Sequence, residues 1–257
     1  MAHGNNPSLA TTGLRKEFGA ITAVDGVDLT MDGPQIVGVA GPNGAGKTVL
    51  LKLLLGLIRP TDGTSRINGV PSTELGPSER AQIGYMPQHT ALYDDLTVQQ
   101  NVAFFADLYD VSDRLAAVRE VLRFVDLWDR RDDRIGSLSG GMIRRTSLAA
   151  AIVHDPAVLF LDEPTVGLDP KLRSAMWDSF RDRRDADTLI VVSTHYLGEV
   201  NRCDRVLFLR DGTVLAFDTP EAFLERTGTD DLEGAFLALL ESSTPDSEAS
   251  TRQGGET

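Results

Sequence analysis

The chain carries a single cysteine, Cys203, in 257 residues. An internal disulfide is excluded, and the thiol fits a reducing compartment as a lone buried side chain. Lysine is also scarce: four lysines stand beside 21 arginines, against 26 aspartates and 12 glutamates, for a net charge of −13. Binding by phosphate neutralisation needs the opposite sign, so no nucleic-acid partner is expected. No apolar run approaches the ~18 residues of a membrane-spanning helix. The strongest runs, 149–153 and 188–192, have the length of a strand or core helix. Residues 1–8 lack the basic-then-apolar order of a secretion signal. What remains is ordinary globular material, 41% hydrophobic and 25% charged. It suffices for one large α/β domain, or a core plus one subdomain.

The acidic, lysine-poor composition fits a salt-loving source or, equally, a moderately acidic protein encoded by a GC-rich genome. Either way, like charges crowd the surface and oppose the compact state at low ionic strength. Screening acts over ~8 Å at 0.15 M salt and ~3 Å at 1 M. The thermal midpoint of the isolated chain is therefore expected to rise markedly between low and molar KCl. Sulfate at matched ionic strength separates screening from salting-out. A flat or falling midpoint would remove the salt-adapted reading.

Three stretches organise the chain. Over 9–88, short β-type runs alternate with turns and one helix. The run 35–40 (QIVGVA) reads as a buried strand, followed by a glycine-rich turn and an apolar helical segment over 49–57. That order is the α/β phosphate-binding arrangement. Over about 89–151 the spacing becomes helical, with Val98, Val102 and Phe105 on one face and Val118, Leu122 and Val125 on another. Over 152–228 strands return, at 158–161, 189–193 and 206–209. The reading is a helical subdomain inserted into an α/β core. Residues 229–257 are expected to hold a short helix, about 232–240, and a disordered tail from Ser242 onward.

Three motifs carry chemistry. Gly41-Pro42-Asn43-Gly44-Ala45-Gly46-Lys47-Thr48 matches G-x-x-x-x-G-K-S/T in full, with Val49 opening the apolar helix. Glycines let backbone N–H groups turn inward around phosphate oxygens, and the helix start favours the same anion. Lys47 is placed for the β- and γ-phosphates, and Thr48 for Mg²⁺. A second motif, Val158-Leu159-Phe160-Leu161-Asp162-Glu163, is a hydrophobic strand ending in two carboxylates. Asp162 suits the Mg²⁺ role, and Glu163 can polarise the attacking water. The third is Leu138-Ser139-Gly140-Gly141-Met142, read as a second anion-binding helix start before a helix over 143–153. One nucleotide cannot easily use both helix starts of one fold. Two chains head to tail could hold it between the first site of one and the second site of the other.

These motifs, in this order, resemble the Walker A, signature and Walker B motifs of ABC ATPases over about 9–228. The resemblance implies a P-loop NTPase (RecA-like) α/β core with an inserted α-helical subdomain. It implies that Phe18 stacks on adenine and that Gln88 senses Mg²⁺ and γ-phosphate. Asp169, in Gly167-Leu168-Asp169, matches a loop at the dimer interface and can also cap the next helix. His195 matches the switch histidine at the γ-phosphate. Met142 replaces the usual Gln, and with Arg144 and Arg145 after it resembles the drug and antibiotic-resistance exporter branch.

The expectation is an ATP-hydrolysing subunit with ATP and Mg²⁺ as ligands, paired as a homodimer or heterodimer. It would act on a separate transmembrane permease at the cytoplasmic face of the membrane. A soluble ABC ATPase of DNA repair or translation is the other reading. It would show a long coiled-coil insertion or two cassettes in one chain, and this sequence has neither.

Overall fold

A computed structural model describes residues 6–243. The elements run β1 (Ser8–Phe18), β2 (Ile21–Asp32), β3 (Gln35–Ala40), α1 (Lys47–Leu54), β4 (Asp62–Ile67), β5 (Val70–Pro71), α2 (Pro77–Arg80) and β6 (Ile83–Met86). Then come α3 (Val98–Leu108), α4 (Arg114–Phe124), α5 (Gly140–Ile152), β7 (Val158–Asp162), α6 (Pro170–Asp185) and β8 (Leu189–Thr194). Last are β9 (Arg205–Arg210), β10 (Thr213–Asp218), α7 (Pro220–Thr227) and α8 (Leu232–Ser243).

A six-stranded sheet of order β10-β9-β3-β8-β7-β6 forms the centre. All its pairings are parallel except β10 on β9. Parallel strands covered on both faces read as continuous apolar runs, which is why 35–40 stood out in the sequence. Successive side chains then enter opposite cores. Val158, Phe160, Leu189 and Val191 face α1 and the antiparallel sheet. Leu159, Leu161, Ile190 and Val192 face the side packed by α3, α5 and α6. The antiparallel sheet has order β2-β1-β4-β5. Its longest pair, β1 with β2, carries register shifts between residues 11 and 17. Bulges of this kind bend a strand and break its alternation.

Boundaries differ from the sequence reading where caps intervene. The first helix starts at Lys47, directly after the left-handed Gly46, and ends before Gly56, also at positive φ. The helix expected over 143–153 begins at Gly140 because the Ser139 hydroxyl caps it, accepting from the Met142 N–H. Helix α8 runs on to Ser243, past the expected end at 240. The remainder of the expected tail lies outside the described residues. Cys203 is buried, and burial pushes its thiol pKa up, away from thiolate chemistry. No helix among the described residues is long and apolar enough to cross a membrane.

Candidate active site

The loops that follow β3, β6, β7 and β8 all leave the same edge of the sheet. Register fixes this: Ala40 lies opposite Thr194, and Asp162 opposite Ser193. Carboxyl ends of parallel strands are where ligands of open α/β sheets collect.

After β3 the chain makes the glycine turn. A Cβ at Gly41 would stand 2.2 Å from the Leu209 carbonyl oxygen. Gly46 has φ 100, and a Cβ there would meet the Ala23 carbonyl at 2.3 Å. Both positions admit only glycine. Gly46 caps α1 without any side-chain hydrogen bond, so the first-turn N–H groups point outward for an anion. Asn43, Gly44, Gly46, Lys47, Thr48 and Val49 line a cavity of about 290 Å³, closed on its other sides by Ala23, Gln88 and Glu163. Lys47 Nζ donates to the Gly41 carbonyl at 2.8 Å and the Pro42 carbonyl at 3.0 Å. Pro42 also accepts from the Ala45 N–H, and Ala45 in turn accepts from Gly212 N–H, which pins the loop to the turn after β9. Burial pushes the Lys47 pKa down, while the Glu163 and Asp162 charges oppose the shift.

The two carboxylates differ in surroundings. Asp162 is fully buried. Its Oδ1 accepts from Thr48 Oγ1 at 3.2 Å and from Ser193 Oγ. Its Oδ2 is buried without a partner among the described residues, an orphan acceptor beside a threonine hydroxyl. Hard oxygen donors of that kind fit Mg²⁺, which takes few protein ligands and completes its shell with phosphate and water. Glu163 sits at φ 52. Its Oε1 lies 3.2 Å from His195 Nδ1 and 3.8 Å from Lys47 Nζ. Gln88 Nε2 donates to its Oε2 at 3.5 Å. The His195 approach lacks hydrogen-bond alignment, since Nδ1 remains without a bonded partner. Lys47, Thr48, Gln88, Asp162, Glu163 and His195 are thus gathered in one place.

Other sequence-derived residues are not gathered there. Ser139 and Gly140 are exposed at the start of α5, outside the cavity of their own chain. Gly141 lies close to the loop of Gly167 and Leu168. Asp169 caps α6, its Oδ1 accepting from Lys171 N–H at 3.0 Å and Leu172 N–H at 3.1 Å. Phe18 is 49% exposed at the end of β1, with the Lys16 ammonium over its ring. It does not line the cavity, although its hairpin carries Ala23, which does.

Sequence reasoning missed three supports. Ser193 Oγ accepts from the Glu163 N–H at 2.9 Å while donating to Asp162. Buried Glu199 accepts from Thr165 Oγ1 at 2.8 Å and Thr194 Oγ1 at 3.2 Å, tying the loops after β7 and β8. Arg144 reaches from α5 to the loops after β6 and β7. Ser193 lies at the end of an apolar buried strand and Glu199 and Arg144 sit in mixed segments, and none of them carries a spacing signal that marks such contacts in advance.

A parallel sheet, a glycine loop at a helix start and two carboxylates at the end of β7 define an ATP-binding and ATP-hydrolysing domain of the P-loop class. The model of the family described as ABC transporter matches residues 24–166. Nod factor export ATP-binding protein I of Burkholderia lata is 40% identical over 82% of this chain and 71% of its own length. Daunorubicin resistance ATP-binding protein DrrA3 of Streptomyces coeruleorubidus is 37% identical over 91% and 78%. Among solved structures, a dimeric ATP-binding cassette in a post-hydrolysis state, bound to ADP and Pi, superposes with TM-score 0.76. It is 25% identical over 82% of this chain and 98% of its own. The chain belongs to the ABC transporter family, as an ATP-binding and ATP-hydrolysing subunit.

Proposed function

We propose that the chain powers an exporter: two ATPase subunits close head to tail on ATP at the cytoplasmic face of the membrane and drive a separate permease. The convergence of Lys47, Thr48, Asp162, Glu163, Gln88 and His195 on one cavity, with Ser139 exposed elsewhere on the same chain, carries the reading. The glycine loop 41–46 with Val49 seats the phosphates, and Lys47 binds their outer oxygens. Thr48, Asp162 and Gln88 hold Mg²⁺, which supplies charge neutralisation at the phosphates when bound. Glu163 takes the proton of the attacking water, and His195 contacts the γ-phosphate. Phe18 stacks on adenine. Ser139, Gly140, Gly141 and Asp169 serve the nucleotide bound to the other subunit. Export is supported by the names of the relatives, which are an export protein and a resistance protein.

In this reading the ATPase domain is 9–228, with core 9–88 and 152–228 around a helical subdomain at about 89–151, and 229–257 lie outside it. The permease seats in a cleft of about 410 Å³ lined by Leu57, Tyr85, Pro87, Phe105 and Tyr109. Its walls come from both the core and the helical segment, and Gln88 follows Pro87 directly. A partner wedged there feels any movement between the two. A repair or translation ATPase is not favoured: the longest helix among the described residues has 16 residues, too short for a long coiled-coil arm.

Ser139→Arg tests the head-to-tail arrangement. Arginine would fill the space at the exposed helix start that the partner's γ-phosphate needs. Binding of a fluorescent ATP analogue to the isolated subunit is expected to stay within about twofold, and steady-state turnover to be lost. Loss of binding in step with turnover would place the serine at its own chain's nucleotide.

A further inference from the structure

Arg144 lies in α5, five positions after the Ser139 cap, and its guanidinium crosses from the helical segment into the core. Nε donates to the Pro164 carbonyl at 3.0 Å, Nη1 to the Gln88 carbonyl at 3.3 Å and Nη2 to the Asp162 carbonyl at 3.1 Å. Nη2 also donates to the Glu163 carbonyl. One planar side chain therefore collects four main-chain oxygens. They come from the loop after β6, which carries Gln88, and from the end of β7 and the turn after it, which carry Asp162, Glu163 and Pro164.

The choice of carbonyls has a consequence. Holding a carbonyl fixes backbone torsion, whereas holding a carboxylate would fix only a side chain. Seven non-glycine residues among those described have positive φ. Six are Asn or Asp, which tolerate that region through their short polar side chains, and the seventh is Glu163. Such strain persists only where surrounding structure over-determines it. The Glu163 N–H donates to Ser193 Oγ at 2.9 Å and to the Ser193 carbonyl at 3.1 Å, and its carbonyl accepts from Val166 N–H at 3.4 Å and from Arg144. The Arg144 contact comes from α5, the others from within the core. Burial pushes the Arg144 pKa down, while the charges of Glu163 and Asp162 oppose the shift. Arginine keeps its charge and its planar fork under such conditions, which lysine does not reproduce.

We infer that Arg144 is a positioning residue for hydrolysis: it holds the Glu163 main chain in its left-handed turn and couples that turn to the pose of α5. Any displacement of α5, whose first residues meet the second subunit's nucleotide, is then felt at the Glu163 carboxylate. The inference rests on the assignment of Glu163 as the base.

Steady-state hydrolysis and ATP-analogue binding by the full chain, compared for the parent, Arg144→Ala, Arg144→Lys and Glu163→Gln, test it. In Arg144→Ala, kcat is expected to fall about 10- to 100-fold, the size of effect that follows a small misplacement of a reacting group. KM for ATP and the analogue's Kd are expected to stay within about twofold, because the phosphate loop is untouched. Arg144→Lys is expected to recover several-fold over alanine, since an ammonium reaches some of the four oxygens but not all. A purely structural role would instead weaken binding and turnover together and give no recovery with lysine, and that result overturns the inference. Parent-like turnover in Arg144→Ala beside an inactive Glu163→Gln overturns it alone. Parent-like turnover in Glu163→Gln removes the base assignment and this inference with it. If the alanine variant does not fold, Arg144→Gln answers the same question, and a parent-like kcat there overturns the inference.

Discussion

Glu163→Gln is expected to keep ATP binding and to lose hydrolysis by about 10²- to 10⁴-fold, the span general-base groups contribute. That loss corresponds to about 3–5 kcal/mol of transition-state stabilisation, at 1.36 kcal/mol per tenfold. The amide is isosteric, so the left-handed turn, the Ser193 contact at the N–H and the Arg144 contact at the carbonyl all survive. Only the carboxylate's charge and its capacity to accept a proton disappear. The approaches from Lys47 at 3.8 Å and His195 at 3.2 Å become contacts with a neutral group. Because binding persists without turnover, the closed pair should accumulate. Size-exclusion chromatography with ATP and Mg²⁺ is expected to show a dimer that the parent shows only transiently. Parent-rate hydrolysis in this variant would mean that another residue activates the water.

The parts of the site readable in the sequence were those whose chemistry forces a residue type at a fixed spacing. Gly41 and Gly46 are dictated by carbonyls that exclude a Cβ. Lys47 and Thr48 follow because the helix begins there. β3 and β8 were legible because strands buried on both faces read as unbroken apolar runs. The antiparallel sheet was not legible as a sheet. Its register shifts between residues 11 and 17 break the period of two, and long-range pairing of β1 with β4 leaves no local mark. Helix α6 was visible only at its Asp169 cap. Its body, with Arg181, Asp182, Arg183, Arg184 and Asp185, is too polar to show a strong apolar stripe. Arg144 escaped for a different reason. Its partners are main-chain carbonyls, and every residue has one, so no sequence pattern can announce them.

Lys47→Ala is expected to abolish turnover and to weaken nucleotide binding by about 10- to 100-fold, since a charge-assisted hydrogen bond contributes about 1.5–3 kcal/mol. The affinity loss follows from the ammonium's place at the head of α1, on the wall of the phosphate cavity. A second effect follows from what the ammonium does before nucleotide arrives. It is 5% exposed, donates to the Gly41 and Pro42 carbonyls and lies 3.8 Å from Glu163. Alanine removes the donor from both carbonyls and the nearest cation from a buried carboxylate. The nucleotide-free chain is therefore expected to lose about 1–3 kcal/mol of stability, the cost of stranding the buried Gly41 carbonyl and leaving Glu163 without its nearest cation. Arginine is not expected to restore function, because its rigid fork is too large for a loop closed by Gly41 and Gly46. The two effects separate experimentally. Combining Lys47→Ala with Glu163→Gln should reduce the stability loss, since Glu163 is then no longer a buried charge left without its cation, yet should leave the affinity loss in full. Thermal melts of the parent and the three variants without nucleotide, with analogue titrations beside them, give both quantities. Normal ATPase activity in Lys47→Ala would sink the phosphate-site assignment. An affinity loss that vanished with Glu163→Gln would mean that Lys47 serves the carboxylate rather than the phosphates.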